Sequence, residues 1–473
     1  MTEEKTTQTA VIGAGPGGYP AAFLAADLGL DVTLIDPEKN PGGVCLYRGC
    51  IPSKALLHAA KVITEAERAP RWGITFAKPQ IDPDKLRQWK DEVVEKLVGG
   101  LGQLTRQRKI NYIQGKARFI DPHNLEIKTN DGRTDNLKFE NAVIATGSRP
   151  ALIPGLDTPP GILDSTSALD LPGIPKTMLI VGGGYIGLEL GTVYAALGTE
   201  VSVVEMTSGL MPGVDRDLVR VLQKRSEEIY KAIMLDTKVV GIRETGDGMI
   251  VELERGGEEK LEMVFDKVLV SVGRKPNSEG LGLENTNVET DSGGFIKVNE
   301  ERRTSEPNIF AIGDVAGEPM LAHKATHEGR VVAEILAGKK SAFMPNAIPA
   351  VVFTDPEIAW CGLTETEAKE KRIPITVARF PWGASGRAAT LDRQDGVTKL
   401  ISDPETGRVL GAGIVGTGAG ELIAEGVLAV EMGALASDIA LSIHPHPTLS
   451  ETLMEAAEAF GGSSTHVYRP GKK

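Results

Sequence analysis

Residues 10–36 read AVIGAGPGGYPAAFLAADLGLDVTLID, and residues 179–205 read LIVGGGYIGLELGTVYAALGTEVSVVE. The two stretches are equally long and align without a gap. Each opens on a short apolar run suited to a buried parallel strand, passes through G-x-G-x-x-G, continues in helical periodicity and closes on a second strand ending in an acid. Gly13, Gly15 and Gly18 fall on Gly182, Gly184 and Gly187, and Asp36 falls on Glu205. In both copies the acid stands 23 residues after the first glycine (36 − 13 and 205 − 182). In such a motif one glycine makes the tight turn, one lets the backbone approach a pyrophosphate, and one lets helix pack on strand. The pyrophosphate then rests on the unpaired amides of the helix N-terminus. One copy is a weak signal; two copies in one register predict an α/β chain with two Rossmann-like dinucleotide-binding units. A carboxylate accepts hydrogen bonds from ribose hydroxyls and repels a 2′-phosphate, so Glu205 favours NAD over NADP. Two sites in one chain imply a bound flavin dinucleotide that exchanges hydride with a diffusing nicotinamide.

A chain of 473 residues is long enough for roughly three or four domains. Its hydrophobic and charged fractions, 41% and 25%, are those of an ordinary globular protein. The formal net charge is −12 with Lys and Arg scattered, which argues against a nucleic-acid partner. No apolar run approaches the roughly 18 residues of a membrane helix and no signal-peptide pattern is present, so a cytoplasmic protein without a membrane partner is expected.

Cys45 and Cys50, two of only three cysteines, stand within GGVCLYRGCIPSK, residues 42–54. A reducing compartment does not sustain ordinary structural disulfides, and three cysteines cannot build a framework of them. A C-x₄-C pair with no second ligand pair nearby lacks the four ligands of structural zinc, so no metal is expected. Two readings remain: inert thiols, or a pair that opens and closes as chemistry. The following IPSKALLHAAKVITEAE has helical period, which puts Cys50 at or just before a helix N-terminus, where partial positive charge and the nearby Lys54 favour a thiolate.

These features, taken together, resemble the pyridine nucleotide-disulfide oxidoreductases, and within that family the branch that oxidises dihydrolipoyl groups with NAD⁺. The likeness runs essentially end to end, through NAVIATGSRP (141–150), VSVGRKPN (270–277), NIFAIGDV (308–315), PMLAHKA (319–325), AGELIAEGVLAVEMGA (419–434) and HPHPTLSETLMEAA (444–457). It implies an FAD-binding domain over 1–150, an NAD-binding domain over 151–275, a central domain over 276–345 and an α+β interface domain over 346–473. The Pro/Gly-rich segments 152–161 and 343–350 agree with two of these boundaries.

The resemblance also implies roles. FAD is expected on Gly13, Gly15, Gly18, Asp36, Lys54, Thr146, Gly147, Asp314 and Ala322, with Asp314 holding the ribitol. NAD is expected on Gly182, Gly184, Tyr185, Gly187, Glu189, Glu205 and Gly273, and Lys54 is expected to pair with Glu189 beside the flavin. Cys45 and Cys50 are implied to form the redox-active disulfide, Cys45 exchanging with substrate and Cys50 communicating with flavin. His446 is implied to be the acid/base, oriented by Glu451, and to serve the disulfide of the other subunit of an obligate homodimer; His444 has a supporting role. A histidine suits thiol–disulfide exchange because it titrates near neutrality. The substrate carriers implied are the dihydrolipoyl domain of the E2 component of a 2-oxo-acid dehydrogenase complex or the H protein of glycine cleavage.

Four positions depart from the family pattern: Tyr47 where Asn is common, Asp36 where Glu is usual, Pro20 inside the first helix, and Cys361, which fits no motif. Tyr47 bears on loop packing and substrate access. Asp36 reaches one methylene less. Pro20 forfeits an amide hydrogen bond and is expected to bend its helix. The rival reading is an NAD(P)H-dependent small-disulfide reductase of the glutathione reductase type, which Glu205 and the C-terminal motif disfavour.

Overall fold

The computed structural model describes residues 5–156, 159, 161–257 and 259–467; the Pro/Gly-rich segment 152–161 falls partly outside them. Strand Lys5–Ile12 lies parallel to Val32–Asp36 on one side and to Thr134–Ile144 on the other. Residues 111–114 of strand Asn111–Asp121 extend the sheet beyond Val32–Asp36, also in parallel. Every residue of Val32–Asp36 is buried, as expected of a parallel strand covered on both faces. Helix Gly18–Asp27 makes the crossover between the first two strands.

The second unit repeats this plan. Strands Lys267–Val270, Thr177–Val181, Glu200–Val204 and Ala232–Met234 form a parallel sheet in that order, with helix Tyr185–Ala196 as the crossover. Register is preserved: Val11 faces Leu34 and Ile180 faces Val203, one offset of 169 residues (180 − 11 and 203 − 34). The repeat reaches further than the glycine motif. Each unit also carries a three-stranded antiparallel meander, Asn111–Asp121, Asn124–Thr129 and Thr134–Ile144 in the first, and Thr237–Thr245, Gly248–Arg255 and Glu259–Phe265 in the second.

Residues 276–345, expected as a central domain, complete the first unit. Strand Ile309–Ala311 joins its sheet beside Thr134–Ile144, and helix Ala322–Leu336 lays Val332 and Ala333 into the core that holds Ala21 and Ala22. A parallel strand needs a long crossover, and here the whole second unit is inserted within it. Beyond it, five antiparallel strands run in the order Ala350–Val352, Glu357–Gly362, Val409–Gly416, Val397–Ser402, Thr376–Pro381. Helices Ala419–Met432 and Glu451–Phe460 share the core of this sheet. The chain is thus mixed α/β, with an α+β C-terminal region. Cys361 is buried in that last core, where burial pushes its thiol up to about 12 and keeps it an apolar space-filler.

A buried ion cluster ties the second unit to the C-terminal sheet. Lys399, 1% exposed, donates to Asp215 Oδ2 at 2.7 Å, Asp217 Oδ1 at 2.8 Å and Glu365 Oε1 at 2.7 Å. Arg379 completes it with ion pairs to Asp217 and Glu365. Among the described residues no helix is long and apolar enough to cross a membrane.

Candidate active site

In both glycine loops the first and third glycines are closed in by protein and the middle one is not. A Cβ on Gly13 would strike the Ala145 carbonyl and one on Gly18 the Gly13 carbonyl; in the second copy the obstacles are Ser271 and Gly182. A Cβ on Gly15 would meet nothing nearer than 3.8 Å, and one on Gly184 nothing within 4 Å. The open side of the middle glycine is where a pyrophosphate can lie against backbone amides.

The acids repeat one another atom for atom. Asp36 accepts from the Ala14 amide at 2.7 Å and the Glu38 amide at 2.9 Å; Glu205 accepts from the Gly183 amide at 2.7 Å and the Thr207 amide at 2.8 Å. The shorter Asp36 side chain therefore makes the same pair of backbone contacts as the longer Glu205. An ionised carboxylate has about four acceptor sites, so each acid keeps lone pairs for a ribose. Burial raises the carboxyl of Asp36 above its ordinary value, opposed by the Ala14 amide and the Arg48 charge.

A cleft of about 720 Å³ runs from Asp36 past Gly13 and Gly15 to Cys45, Cys50 and Asp314. Lys54, Thr146, Gly147 and Ala322 also line it, and so do Tyr185 and Glu189 from the second unit. Gly18 lies behind the wall, packed on Gly13. Gly182, Gly184, Gly187 and Glu205 form the separate second glycine turn, and Gly273, at φ +118°, lies in the turn after strand Lys267–Val270. The first cleft is long and carries an acid, an open glycine loop and an aspartate in sequence, which fits a flavin dinucleotide.

Cys45 sits in the short helix Gly43–Arg48, and Cys50 is the first residue of helix Cys50–Arg68. Gly49 makes the break between them, where a Cβ would lie 3.2 Å from the Cys45 Cα. The missing side chain lets the start of the second helix close against the Cys45 backbone. Cys45 donates to Cys50, which pushes the Cys45 thiol up and lowers Cys50 to about 7, with Lys54 adding its positive charge against the cost of burial. Cys50 is open to the cleft and enclosed by protein on its other sides. The pair therefore becomes a thiol beside a thiolate as pH rises through about 7.

Lys54 Nζ donates to Glu189 Oε2 at 2.8 Å, the pairing expected from the sequence, and lies 4.4 Å from the centre of the Phe353 ring. Glu189 Oε1 accepts from the Phe353 amide at 3.0 Å, so one buried carboxylate joins the cysteine helix, the second unit and the C-terminal region. Tyr47 is not among the residues lining the cleft. Its hydroxyl donates to the Asn40 carbonyl at 2.9 Å, so it fastens the loop rather than narrowing access to the thiols.

At the Asp314 end the structure adds residues that the sequence did not single out. Ser148 donates to Asp314, and Arg274 donates to Ser148 Oγ at 2.7 Å. Beneath, fully buried Glu328 accepts from the Gly313 amide at 2.6 Å and pairs with Arg302 and Lys324, each at 3.1 Å. Both Ser148 and Arg274 stand inside quoted motifs, but only folding brings them to Asp314. Asn277 likewise donates to the Thr146 carbonyl at 3.0 Å, and accepts from the Thr146 hydroxyl at 2.8 Å and from Arg149 at 3.1 Å.

His446 Nδ1 donates to Glu451 Oε1 at 2.8 Å, and Glu451 Oε2 accepts from the Thr448 amide at 2.7 Å. The His446 side chain is 75% exposed and is not among the residues lining the cleft of its own chain. His444 is buried, 2.9 Å from Glu425 and 2.8 Å from the Ser442 carbonyl, a bracing position.

Residues 7–329 match the family model described as pyridine nucleotide-disulphide oxidoreductase, and residues 348–457 match the dimerisation domain of the same family. The chain belongs to the pyridine nucleotide-disulphide oxidoreductases, uses FAD and NAD(H), and forms a homodimer. It is 49% identical over 468 residues to the dihydrolipoyl dehydrogenase of Vibrio cholerae, covering 99% of this chain and 98% of the relative. Haemophilus influenzae has a dihydrolipoyl dehydrogenase of the same identity and coverage, and that of Thermus scotoductus is 47% identical over 98% of this chain and 99% of its own. Among solved structures, LpdA from Mycobacterium tuberculosis superposes with a TM-score of 0.89 at 27% identity, covering 96% of this chain and 99% of that one.

Proposed function

We propose that this protein is a dihydrolipoyl dehydrogenase that oxidises protein-bound dihydrolipoyl groups and reduces NAD⁺. The observation that carries the reading is the hydrogen-bonded Cys45–Cys50 pair in the wall of a cleft that also holds Asp36, the first glycine loop and the Lys54–Glu189 pair. The full-length relatives bear the same name, and the glutathione reductase type is not favoured. FAD, when bound, takes the electron pair from the dithiol and delivers it as hydride to NAD⁺.

In this reading Gly13, Gly15, Gly18, Asp36, Thr146, Gly147, Asp314 and Ala322 hold FAD. Gly182, Gly184, Tyr185, Gly187, Glu189, Glu205 and Gly273 receive NAD. His446, oriented by Glu451, takes a proton from one substrate thiol. The resulting thiolate attacks Cys45 in the oxidised pair, forming a mixed disulfide and releasing Cys50 as thiolate. The second substrate thiol then displaces Cys45, the cyclic disulfide leaves, and both electrons rest on the Cys45–Cys50 dithiol. Lys54 and Cys45 keep the charge on Cys50. Because His446 is exposed away from the cleft of its own chain, it serves the cysteines of the second subunit.

The substrate carrier is the dihydrolipoyl domain of an E2 component or the H protein of glycine cleavage, and the setting is cytoplasmic. The chain divides near 150, 275 and 345, the third region closing the first. The test is NAD⁺ reduction by dihydrolipoamide against NADPH oxidation by glutathione disulfide: activity is expected in the first, and activity confined to the second overturns the reading. Cys45→Ser is expected to abolish dihydrolipoamide turnover while bound flavin remains.

A further inference from the structure

The chain from Pro349 to Phe353 is fastened at both ends to elements that wall the cleft. His323 stands on the first turn of helix Ala322–Leu336, whose first residue lines the cleft, and donates its Nε2 to the Pro349 carbonyl at 2.7 Å. At the other end the Phe353 amide donates to Glu189 Oε1 at 3.0 Å. Between these points strand Ala350–Val352 pairs with Glu357–Gly362. The Phe353 ring is fixed as well. A Cβ at position 420 would lie 2.9 Å from Val351 Cγ1 and 3.4 Å from Phe353 Cε1, so glycine there lets the start of helix Ala419–Met432 close on Val351 and the ring. The Gly420 amide donates to Glu357 Oε2 at 2.9 Å and holds that helix start in place.

Phe353 therefore meets both members of the Lys54–Glu189 pair. Its amide orients the carboxylate, and its ring, centred 4.4 Å from Lys54 Nζ, faces the ammonium. Glu189 is a fixed acceptor with a side chain 6% exposed, whereas the Lys54 side chain is 35% exposed and ends a flexible four-carbon stem. The negative face of an aromatic ring attracts an ammonium, more strongly as water is removed. Cys50 and Lys54 stand four residues apart on one helix and both line the cleft. Two-electron reduction by NADH transfers the equivalent of a hydride: the Cys45–Cys50 disulfide opens to one thiol and one thiolate, and NAD⁺ is left. The reduced site thus carries one more negative charge than the oxidised one, and a cation held beside it favours reduction. We propose that Phe353 is a positioning residue for the redox reaction, its ring keeping the Lys54 ammonium against Glu189 in the cleft wall, where the positive charge stabilises the reduced site. The inference rests on the functional reading above and adds to that same site a residue from the C-terminal region.

The experiment compares wild-type holoenzyme with Phe353→Leu, Phe353→Tyr, Lys54→Met and the double variant Phe353→Leu/Lys54→Met. Absorbance in NAD⁺/NADH mixtures at one pH gives the equilibrium between oxidised and two-electron-reduced enzyme, and mass spectrometry follows acetylation of Lys54 by acetic anhydride. Phe353→Leu keeps the backbone amide and an apolar side chain but has no aromatic face. It is expected to shift the equilibrium away from the reduced form by about two- to fivefold and to speed Lys54 acetylation by a similar factor. Phe353→Tyr keeps the face and is expected to match wild type in both. In the Lys54→Met background the shift caused by Phe353→Leu is expected to vanish. An equal shift in both backgrounds assigns the ring to packing alone and overturns the inference, as does either readout unchanged in Phe353→Leu. Should Lys54→Met fail to retain flavin, acetylation decides: a faster rate in Phe353→Leu, restored in Phe353→Tyr, upholds the inference, and an unchanged rate ends it. Failure of wild type to oxidise dihydrolipoamide strikes the functional reading alone, since neither measurement uses that substrate.

Discussion

Cys45 and Cys50 bear the same functional group and behave oppositely. The interaction between them raises Cys45 and lowers Cys50, and Cys50, at a helix N-terminus with Lys54 one turn on, holds the charge. The Cys50 value of about 7 lies below the ordinary thiol, so its thiolate is present above that pH and lost below it. Lys54→Met is expected to move the pH midpoint of Cys50 alkylation upward by about one unit. Cys45→Ala removes the larger cause and is expected to move it further. Mass spectrometry of the Cys50 peptide reads both shifts, and an unchanged midpoint would remove the account of the pair.

The first helix answers its own irregularity through a neighbour. Tyr19 donates to the Gly15 carbonyl at 3.1 Å and Ala21 to Gly17 at 3.2 Å, so the bond missing from the ladder is the one from residue 20 to Pro16. Pro20 has no amide hydrogen to give, as the sequence implies, yet the helix runs unbroken from Gly18 to Asp27. Thr326, on helix Ala322–Leu336, donates its hydroxyl to the Pro16 carbonyl at 2.8 Å. An element distant in sequence thus replaces a lost backbone bond and pins the two helices together. Thr326→Val is expected to cost about 1–3 kcal/mol in chemical denaturation, because an acceptor is left unmet. The same change is expected to cost less in a Pro20→Ala background, where an amide becomes available to Pro16; equal costs in the two backgrounds would show the bonds to be unrelated.

The units are joined by buried charge as well as apolar surface. Burial alone would raise the carboxyls of Asp215 and Asp217, but hydrogen bonds and charge from Lys399 outweigh it and both lie below the ordinary range. Asp215, Asp217 and Glu365 are close enough to hold a metal ion, yet the Lys399 ammonium stands among them. Lys399→Met is expected to destabilise the protein by about 3–5 kcal/mol at neutral pH, since it leaves carboxylates buried without their cation. Depressed carboxyls stabilise above their unfolded value and lose that contribution as pH falls through the folded one; crowding without Lys399 reverses the shift. The gap between wild type and variant should therefore narrow in urea melts at pH 5 relative to pH 7.5. For the assembled dimer, mixing inactive Cys45→Ser and His446→Gln subunits is expected to restore about a quarter of wild-type sites, because half the dimers are mixed and each has one intact site. No recovery on exchange would place His446 with the cysteines of its own chain.

The sequence by itself determined the two dinucleotide units, the matched acids and the thiol pair, because these rest on periodicities and spacings within some thirty residues, and a tight turn demands glycine wherever it occurs. It also placed Cys50 at the head of its helix. Folding alone decided what depends on contacts between distant elements: the strand that residues 309–311 return to the first sheet, the Ser148 and Arg274 support for Asp314, the Thr326 repair of Pro20, and the Lys399 cluster. No local propensity encodes such partners. Each is fixed only when folding brings groups more than a hundred residues apart within about 3 Å of one another.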